Sequence, residues 1–575
     1  MQHADGAVAD FLILGGGSAG CVLAGRLSED PRLRVTLVEA GPDLTKATAP
    51  PDVLSNYPAK AYFNPGYTWR GLTAGLGGAY VNDPALRPRG RYEQARLLGG
   101  GSSINGLIAN RGAPSDYDEW GEAGAAGWNW DSVLPYFRKL ETDLDFGGAF
   151  HGSDGPVSIR RFPVEDWSGY TKAVAAALEA RGVRRIDDQN GAWQDGLMPV
   201  PASVDAEGHR VSCAFAYLTP EVRARPNLRV LASAEVQRIM FDGRRAVGAE
   251  VLAGGQRLRL AGMNVIVSCG ALHSPALLMR SGIGPADSLR HLDIPVLAAR
   301  AGVGKNLQEH PVTAISCFLH PDARMTDLAR HHTQAQLRFS SGLADCPEGD
   351  MCLAIIARSG WHAMGRRVGS LYFWVNKSFS RGEVRLRSAA PADLPEVDFR
   401  MLSDPRDILR LRNAFRSMAA LALDPALDGV RSEVFPANYS DRVRRVSRPG
   451  LANQVQMGAF AAILDAAPRL RRRLIEGLVT QGQRIDALLT DDATLDAYLQ
   501  SSVVGVWHPV GTCRMGDPSD PLAVTDSAGR VIDVENLRVC DASIMPTIPC
   551  ANTNISTIMV AERIADAIRS EATAR

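Results

Sequence analysis

The chain has 575 residues, 45% hydrophobic and 22% charged, which is typical of a globular protein larger than one small domain. Lysine plus arginine equal aspartate plus glutamate at 63 each, so the charge balance favours neither nucleic acid nor an anionic membrane as a partner. Nine cysteines without metal-ligand spacing indicate reduced, buried thiols and no metal site. We find no secretory signal and no apolar run of membrane-spanning length, and we expect a cytoplasmic protein.

The first elements in chain order predict a nucleotide-binding βαβ unit. An apolar strand at residues 10–14 leads into a glycine-rich turn at residues 15–20, and a helical stretch and a second strand at residues 35–38 follow. Glu39 comes 24 residues after Gly15, where an acidic side chain accepts hydrogen bonds from an adenosine ribose. This order of elements favours a dinucleotide ligand and leaves open whether it is NAD or FAD.

Each position of the glycine-rich turn has a physical role in this prediction. Gly15 permits the sharp turn, Gly17 lets the backbone approach a pyrophosphate, and Gly20 allows the helix to pack against the strand. The helix that begins near Ser18 offers unpaired N–H groups and a partial positive charge to the pyrophosphate.

The rest of the chain alternates between strands, helices and long connections. Residues 42–95 are rich in proline, glycine and aromatic residues and predict a long surface loop, whereas residues 116–140 predict an aromatic-rich helical segment. Short strands between residues 228 and 268 predict a small antiparallel sheet that joins the parallel one. Residues 557–569 predict an amphipathic closing helix.

Residues 451–489 predict a helical region with an unusual run of arginines between residues 469 and 473. One interpretation is a helix that lies on a membrane surface or binds a partner. We favour a solvated arginine face on a helix packed against the second domain, because a single basic turn anchors a protein only weakly.

Three further groups of segments are specific. They are ARLLGGGSSINGLIANRG at 95–112; GALHSPALLMRSGIG at 270–284 with GVGKNLQEH at 302–310; and VWHPVGTCRMG at 506–516 with VCDASIMP at 539–546 and ANTN at 551–554. With the βαβ unit, and in this order over nearly the whole chain, they resemble the glucose–methanol–choline (GMC) oxidoreductase family of flavoenzymes. The VWH, ANTN and FWVNK (373–377) segments are most similar to those of its 5-hydroxymethylfurfural and aryl-alcohol oxidases.

The resemblance implies a mixed α/β fold, with a Rossmann-like FAD-binding domain interleaved with a substrate-binding domain built on an antiparallel sheet with helices. We expect residues 1–310 to form the FAD-binding domain, with an excursion into the substrate domain around residues 150–220. Residues 311–500 would form the substrate-binding domain. Residues 501–575 would return to the FAD domain and carry the catalytic pair.

The resemblance also implies FAD as the cofactor and assigns residues to it. The implied FAD-binding residues are Gly15, Gly17, Ser18, Gly20, Glu39, Gly99, Gly100, Ser102, Asn105, Val236, Asp541, Ala542, Asn552 and Thr553. Among them, Val236 would present its backbone to the adenine, and Asp541 and Ala542 would meet the pyrophosphate and ribityl chain. Some relatives attach FAD through a histidine after the GGxSS string; Ile104 stands there in this chain, so we expect non-covalent FAD.

Alcohol oxidation needs a base for the O–H proton and an acceptor for hydride. His508 matches the family's catalytic histidine, and an unperturbed histidine pKa of about 6.5 leaves the side chain largely neutral at pH 7. Asn552 matches the second member of the pair; because an amide is no base at neutral pH, it would orient the substrate oxygen. The hydride would pass to flavin N5. His273 and His310, in other family segments, are interpreted as structural.

Tyr372, Trp374 and Trp507 are candidates for an aromatic wall over the flavin, although alternate residues of the first strand must fill a sheet core. We therefore expect FAD-dependent oxidation of primary, aryl or furanic alcohols to aldehydes, with oxygen reduced to hydrogen peroxide. One alternative is an alcohol or choline-type dehydrogenase that uses a quinone or another acceptor. Others are a hydroxynitrile lyase and a non-catalytic flavin-binding protein.

Overall fold

A computed structural model describes residues 8–77, 89–328, 330–437 and 439–573. Residues 1–7, 78–88 and 574–575, which belong to the predicted segments 1–310, 42–95 and 501–575, lie outside the described residues.

The strands, in chain order, are β1 (Ala9–Leu14), β2 (Val35–Val38), β3 (Thr73–Gly75), β4 (Arg89–Arg91), β5 (Glu141–Asp143), β6 (Val157–Arg161), β7 (Gly196–Pro199), β8 (Pro201–Ala202), β9 (Leu228–Leu231), β10 (Ala234–Asp242), β11 (Arg245–Ala253), β12 (Gln256–Val267), β13 (Ile283–Gly284), β14 (Ala298–Ala299), β15 (Pro311–Leu319), β16 (Thr333–Phe339), β17 (Met351–Ile356), β18 (Val368–Val375), β19 (Glu383–Arg385), β20 (Glu396–Asp398), β21 (Arg431–Ala437), β22 (Val504–Gly505) and β23 (Leu537–Val539).

The α-helices are α1 (Ser18–Leu27), α2 (Pro51–Leu54), α3 (Ala59–Tyr62), α4 (Pro114–Glu122), α5 (Trp130–Leu140), α6 (Gly169–Glu179), α7 (Cys213–Tyr217), α8 (Pro220–Arg223), α9 (Gly270–Arg280), α10 (Ala286–His291), α11 (Pro405–Ala422), α12 (Asp441–Ser447), α13 (Leu451–Ala466), α14 (Pro468–Leu478), α15 (Ile485–Leu488), α16 (Asp492–Ser502) and α17 (Thr553–Thr573).

The first large sheet contains the predicted βαβ unit. Its strand order is β10-β11-β12-β1-β2-β9, with β23 also paired to β12. The strands from the second half of β12 to β9 are parallel, whereas β10, β11 and the first half of β12 are antiparallel. The predicted antiparallel sheet that joins the parallel one is therefore confirmed, and the twelve-residue strand β12 forms the junction.

The parallel strands are apolar along their whole length because both of their faces are covered. Leu12, Ile13 and Leu14 of β1 are fully buried, and α1 packs against the closing helix α17. The predictions of helical structure at residues 116–140 and of an amphipathic closing helix are confirmed by α4, α5 and α17. No helix in the described part of the chain is long and apolar enough to cross a membrane.

The second large sheet is antiparallel, with the order β21-β15-β18-β17-β16-β7 and β22 paired to the start of β15. Helix α11 packs on β15 and β18. The two sheets and their helices confirm the predicted mixed α/β fold, in which strand β7, from the predicted 150–220 excursion, pairs with β16 of the second sheet. The residue boundaries of the domains stay a prediction.

The prediction of a long loop over residues 42–95 is wrong where the structure describes this segment. It contains the helices α2 and α3 and the strands β3 and β4. Tyr57 and Phe63 are buried because they pack with Trp361 in a small aromatic cluster. The segment lacks a periodic apolar pattern, so its core contacts were invisible in the sequence; its residues 78–88 lie outside the described residues.

Candidate active site

The glycine-rich turn after β1 packs tightly against the protein at Gly15 and Gly20, whereas Gly17 has free space beside its Cα. Gly15 has φ +106°, and a Cβ at Gly15 or Gly20 would overlap a backbone carbonyl oxygen. A Cβ at Gly17 would find its nearest atom, the Ser268 carbonyl oxygen, 3.9 Å away. Gly17 caps α1 without a side-chain hydrogen bond, so the helix N-terminus presents its N–H groups and positive dipole to this open space.

Glu39 is held beside the turn by backbone N–H groups. Its carboxylate accepts hydrogen bonds from Gly16 N at 2.9 Å and Gly41 N at 2.7 Å, and burial raises its pKa. The Glu39 carbonyl accepts a hydrogen bond from Ala234 N at 2.8 Å, which places the start of β10 next to it. Val236 follows on β10, the edge strand of the sheet, which pairs on one side only among the described residues.

The second glycine-rich segment packs directly on the first turn. Gly99 N donates a hydrogen bond to Gly16 O at 2.7 Å, and Gly99 and Gly100 have φ +85° and +53°. The Ser102 hydroxyl bonds Gly99 O and Cys213 N, so it braces the segment. Asn105 faces the cavity described below, and its Oδ1 accepts a hydrogen bond from buried Arg210 at 2.8 Å.

Asp541 links the C-terminal family segment to α9. Its carboxylate accepts hydrogen bonds from Gly270 N at 2.8 Å, from the Ser274 hydroxyl at 2.5 Å and from Ser543 N at 2.8 Å. Burial raises its pKa. Its next neighbour, Ala542, lines the cavity, so the carboxylate holds the backbone that faces the ligand space.

A cavity of about 850 Å³ joins the predicted site residues. Its walls include Ser18, Asn105, Tyr372, Trp374, Trp507, His508, Ala542, Asn552 and Thr553. The N-termini of α1 and α17 meet there, since the Ser18 hydroxyl donates to Asn554 Oδ1 at 2.8 Å. The other predicted residues are not among the described residues that line the cavity; they are Gly15, Gly17, Gly20, Glu39, Gly99, Gly100, Ser102, Val236 and Asp541.

His508 is positioned by the pairing of β22 with β15. Pro311 opposes Gly505 and Val312 opposes Val504, so the residues after β22 face those before β15. The His508 N–H therefore donates to both carboxylate oxygens of Glu309, at 3.0 and 2.9 Å. Trp507, which directly precedes His508 in the chain, has φ +62°. This backbone conformation costs a non-glycine residue free energy, and the pairing of β22 with β15 holds it in place.

The surroundings of His508 keep its imidazole neutral. Burial lowers the pKa of His508 to about 3, and burial raises the pKa of Glu309, which also accepts a hydrogen bond from the Tyr92 hydroxyl, to about 7. His508 Nδ1 lies 2.9 Å from Nδ1 of His310, whose pKa burial and the proximity of His508 lower. The interpretation of His310 as a structural residue, made from the sequence, did not include this contact with His508.

His508 Nε2 lies 3.0 Å from Nδ2 of Asn552. An amide nitrogen is only a donor, so Nε2 carries the lone pair and Nδ1 carries the proton. Asn552 is fixed by its own backbone, which donates to Asn110 Oδ1 at 2.9 Å, while its Oδ1 is buried without a partner among the described residues. A neutral base and an unpaired amide oxygen thus stand side by side in one cavity.

The consecutive aromatic side chains of β18 point alternately to the two faces of the second sheet, as in any β-strand. Tyr372 and Trp374 face the cavity, whereas Phe373 between them is fully buried in the core of the second sheet. Two aromatic residues that the sequence did not single out, Tyr62 and Tyr439, extend this wall and lie 6.4 and 5.3 Å from Trp507 between ring centroids. A flat substrate would therefore meet rings on several sides.

Comparison with known proteins gives the family. Profiles described as GMC oxidoreductase match residues 9–312 and residues 378–561. The chain belongs to the GMC oxidoreductase family. It is an FAD-dependent oxidoreductase that acts on alcohol donors, and the glycine positions that are open at the first turn and along the cavity fit that cofactor.

Among curated GMC oxidoreductases, a 5-(hydroxymethyl)furfural oxidase of Methylovorus sp. is 42% identical, with 98% of this chain and 99% of the relative covered. An oxygen-dependent choline dehydrogenase of Burkholderia thailandensis is 35% identical, covering 97% and 93%. Among solved structures, pyridoxine 4-oxidase from Mesorbium loti superposes with a TM-score of 0.81 at 27% identity, covering 98% and 99%. A fungal aryl-alcohol oxidase, at 21% identity and a TM-score of 0.75 over 98% and 99%, shares the fold.

Proposed function

We propose that this enzyme oxidises primary aryl or furanic alcohols to aldehydes, with non-covalent FAD and with oxygen reduced to hydrogen peroxide. One observation carries the proposal: His508 Nε2 lies 3.0 Å from Asn552 Nδ2, and both side chains face a cavity with aromatic walls. The furfural oxidase relative supports a furanic substrate, and the aromatic wall supports a flat one.

In this proposal His508 is the base. The substrate hydroxyl donates its hydrogen bond to Nε2, which takes the proton as the carbinol C–H bond breaks. When the substrate is bound, Asn552 Nδ2 donates its hydrogen bond to the substrate oxygen instead of to His508 Nε2. This hydrogen bond fixes the orientation of the carbinol carbon. The acceptor for the hydride of that carbon would be supplied by flavin N5 of bound FAD.

We assign the cofactor to residues by position along the site. Glu39 and the Val236 backbone would hold the adenosine end, and the turn from Gly15 to Gly20 with Ser18 would hold the pyrophosphate. The segment from Gly99 to Asn105, with Ala542 and Thr553, would hold the flavin end, with Asp541 fixing the backbone at Ala542.

We propose that FAD is held without a covalent bond, because Ile104 lines the cavity where covalent relatives place a histidine. An isoleucine side chain has no nucleophile. Acid precipitation should therefore release all of the yellow colour into the supernatant, and a yellow pellet after washing would overturn this assignment.

The proposed reaction is tested with benzyl alcohol and 5-(hydroxymethyl)furfural in two stages. Without oxygen, each alcohol should bleach the flavin absorbance near its visible maximum; then, on admission of oxygen, the colour should return with one equivalent of hydrogen peroxide. Bleaching without reoxidation by oxygen, together with turnover only when a quinone or dye is added, would contradict the oxidase proposal. No bleaching by any primary alcohol would contradict the proposed reaction itself.

A further inference from the structure

The cavity extends well beyond the space around His508. The same continuous cavity that contains His508 and Asn552 also reaches Ala459, Ile463 and Leu478 on α13 and α14. It passes between these helices and the face of the second sheet formed by β15, β18 and β21. The cavity therefore has a second branch on the side away from the turn after β1.

The walls of this branch are apolar. They are formed by Val368, Phe435, Val446, Met457, Phe460 and Val479. Among its polar groups, the hydroxyls of Ser316 and Ser359 each bond that of Ser370, at 2.6 and 2.7 Å, and His362 Nδ1 accepts a hydrogen bond from Gly365 N at 3.0 Å. Arg442 and Gln456 are exposed to solvent. A polar substrate tail would find few partners here, whereas a hydrocarbon tail would leave water for an apolar space.

The branch opens at the surface between α12, α13 and α14. Apart from Gly101 and Ser359, the exposed residues among the cavity walls all lie on these helices: Arg442, Gln456, Ala459, Ile463 and Leu478. Ile463 is 51% exposed and Leu478 42%, although both also line the cavity. They mark the mouth of the branch.

The rim of this mouth is unusually apolar. Of the eleven large hydrophobic residues exposed in the described part of the chain, five lie on α13 and α14: Leu451, Val455, Ile463, Leu470 and Leu478. Single exposed apolar residues are normal, but their concentration on the two helices that carry Ile463 and Leu478 favours entry of an apolar molecule on this side. The arginine run predicted as a solvated face lies on α14, the helix that carries Leu478, and Arg469, Arg472 and Arg473 are exposed.

We propose that this branch binds the hydrocarbon tail of the substrate, so that the preferred substrates are amphiphilic primary alcohols, with a hydroxymethyl group at His508 and a long apolar body that reaches toward α13 and α14. The proposal rests on the proposed function, since it assigns the tail of the same alcohol. Under this proposal, a small ring alcohol such as benzyl alcohol is also a substrate, but it fills only the part of the cavity near His508.

A homologous series tests this assignment. We expect kcat/KM for 4-alkylbenzyl alcohols, measured by oxygen uptake, to rise about threefold per methylene group until the branch is filled, since each buried methylene adds hydrophobic binding. Equal kcat/KM for benzyl alcohol and 4-octylbenzyl alcohol would overturn the tail-binding branch and leave the proposed oxidation intact. No turnover of any member would instead contradict the proposed function.

Two exposed alanines of α13 provide a matched pair of variants. Ala459 lines the mouth, whereas Ala462 lies outside the cavity wall formed by the described residues, so both substitutions add a large side chain at a solvent-exposed helical position. Ala459→Trp should bring the ratio of kcat/KM for 4-octylbenzyl to benzyl alcohol close to one, and Ala462→Trp should keep the ratio of the unmodified enzyme. Equal ratios in the two variants would overturn the position of the mouth.

Binding without turnover gives an independent readout. By titration calorimetry, 4-octylbenzoic acid should bind at least tenfold more tightly than benzoic acid, and Ala459→Trp should abolish this difference. Equal binding of the two acids by the unmodified enzyme would contradict the tail site, whatever the rates show.

Discussion

Nδ1 of His310 lies 2.9 Å from Nδ1 of His508, so one of the two imidazoles must donate to the other. The amide Nδ2 of Asn552, which can only donate, lies 3.0 Å from His508 Nε2, so the proton of the neutral His508 ring is on Nδ1. His310 Nδ1 is then the acceptor and His508 Nδ1–H the donor, which leaves the lone pair of His508 on Nε2 beside Asn552. We therefore interpret His310 as a positioning residue that selects the basic tautomer of His508.

This role predicts different effects for two substitutions of His310. His310→Leu removes the acceptor and should lower the rate of flavin reduction under anaerobic conditions roughly 10- to 100-fold, the range seen for partners that orient other histidines, with little change in KM. In His310→Asn the amide oxygen takes the place of Nδ1, and we expect it to restore most of the rate. Thermal unfolding of both variants serves as the control, since a purely structural role would make rate loss follow stability loss and would give no rescue.

The sequence indicated several residues that line the cavity, although their catalytic and binding roles stay predictions. His508 and Asn552 came from the family resemblance, the glycine turn came from local spacing, and the alternation of Tyr372 with Trp374 followed from the geometry of a strand. The contact between His310 and His508 was missed because it joins residues 198 positions apart through the pairing of β15 with β22. The one indication of this contact in the sequence is that the NLQEH segment, residues 306–310, directly precedes the apolar strand β15.

Other parts of the site were missed for a different physical reason. Tyr62 and Tyr439 lie in segments without regular periodicity, and their cavity contacts depend on how distant loops pack. The helices α13 and α14 were expected from the sequence, yet their use as a cavity wall depends on the space they leave above the second sheet. Such space is a property of packing, which a local pattern does not contain.

Removal of the proposed base should abolish most of the chemistry without unfolding the protein. We expect His508→Ala to lower the anaerobic rate of flavin reduction by benzyl alcohol about 10²- to 10⁴-fold, because general-base catalysis contributes that much. His273→Asn is the matched control: the His273 ring is half-buried with an enclosed Nε2, burial lowers its pKa to about 3, and it stacks on Trp69 and does not contact the His508–Asn552 pair. Comparable losses of rate in both variants would contradict the assignment of His508.

Gly17 tests whether the open side of the first turn belongs to the cofactor. A Cβ there has no protein atom nearer than 3.9 Å and its φ of −72° suits any L-residue, so Gly17→Ala should lower the thermal stability of the apoprotein only slightly, through the weaker N-cap of α1. We expect the dissociation constant of FAD, measured by quenching of flavin fluorescence, to rise at least about tenfold, which is about 1.4 kcal/mol. Gly429→Ala, at an exposed position with free space around it, is the control. Unchanged FAD affinity in Gly17→Ala would remove the turn from the cofactor site.

A buried ionic cluster whose residues do not line the cavity should govern stability at alkaline pH. Although burial alone would lower it, hydrogen bonds to Asp143, Asp188 and Glu141 raise the pKa of His151 to about 10. The carboxylates also pair with arginines, Arg161 with Asp143 and Asp188 and Arg111 with Glu141. This arrangement of cations and anions keeps His151 protonated at neutral pH.

Because the folded-state pKa of His151 lies above that of an unfolded histidine, about 6.5, its contribution to stability is complete below pH 6.5 and is lost as the pH rises to 10. We expect His151→Gln to lower the free energy of unfolding by about 3 kcal/mol at pH 6, since it removes one partner of a buried ion pair. The difference from the unmodified protein should shrink steadily up to pH 10. Denaturant titrations at pH 6, 8 and 10 measure it, and a difference that stays constant with pH would show that His151 is already neutral in the folded protein.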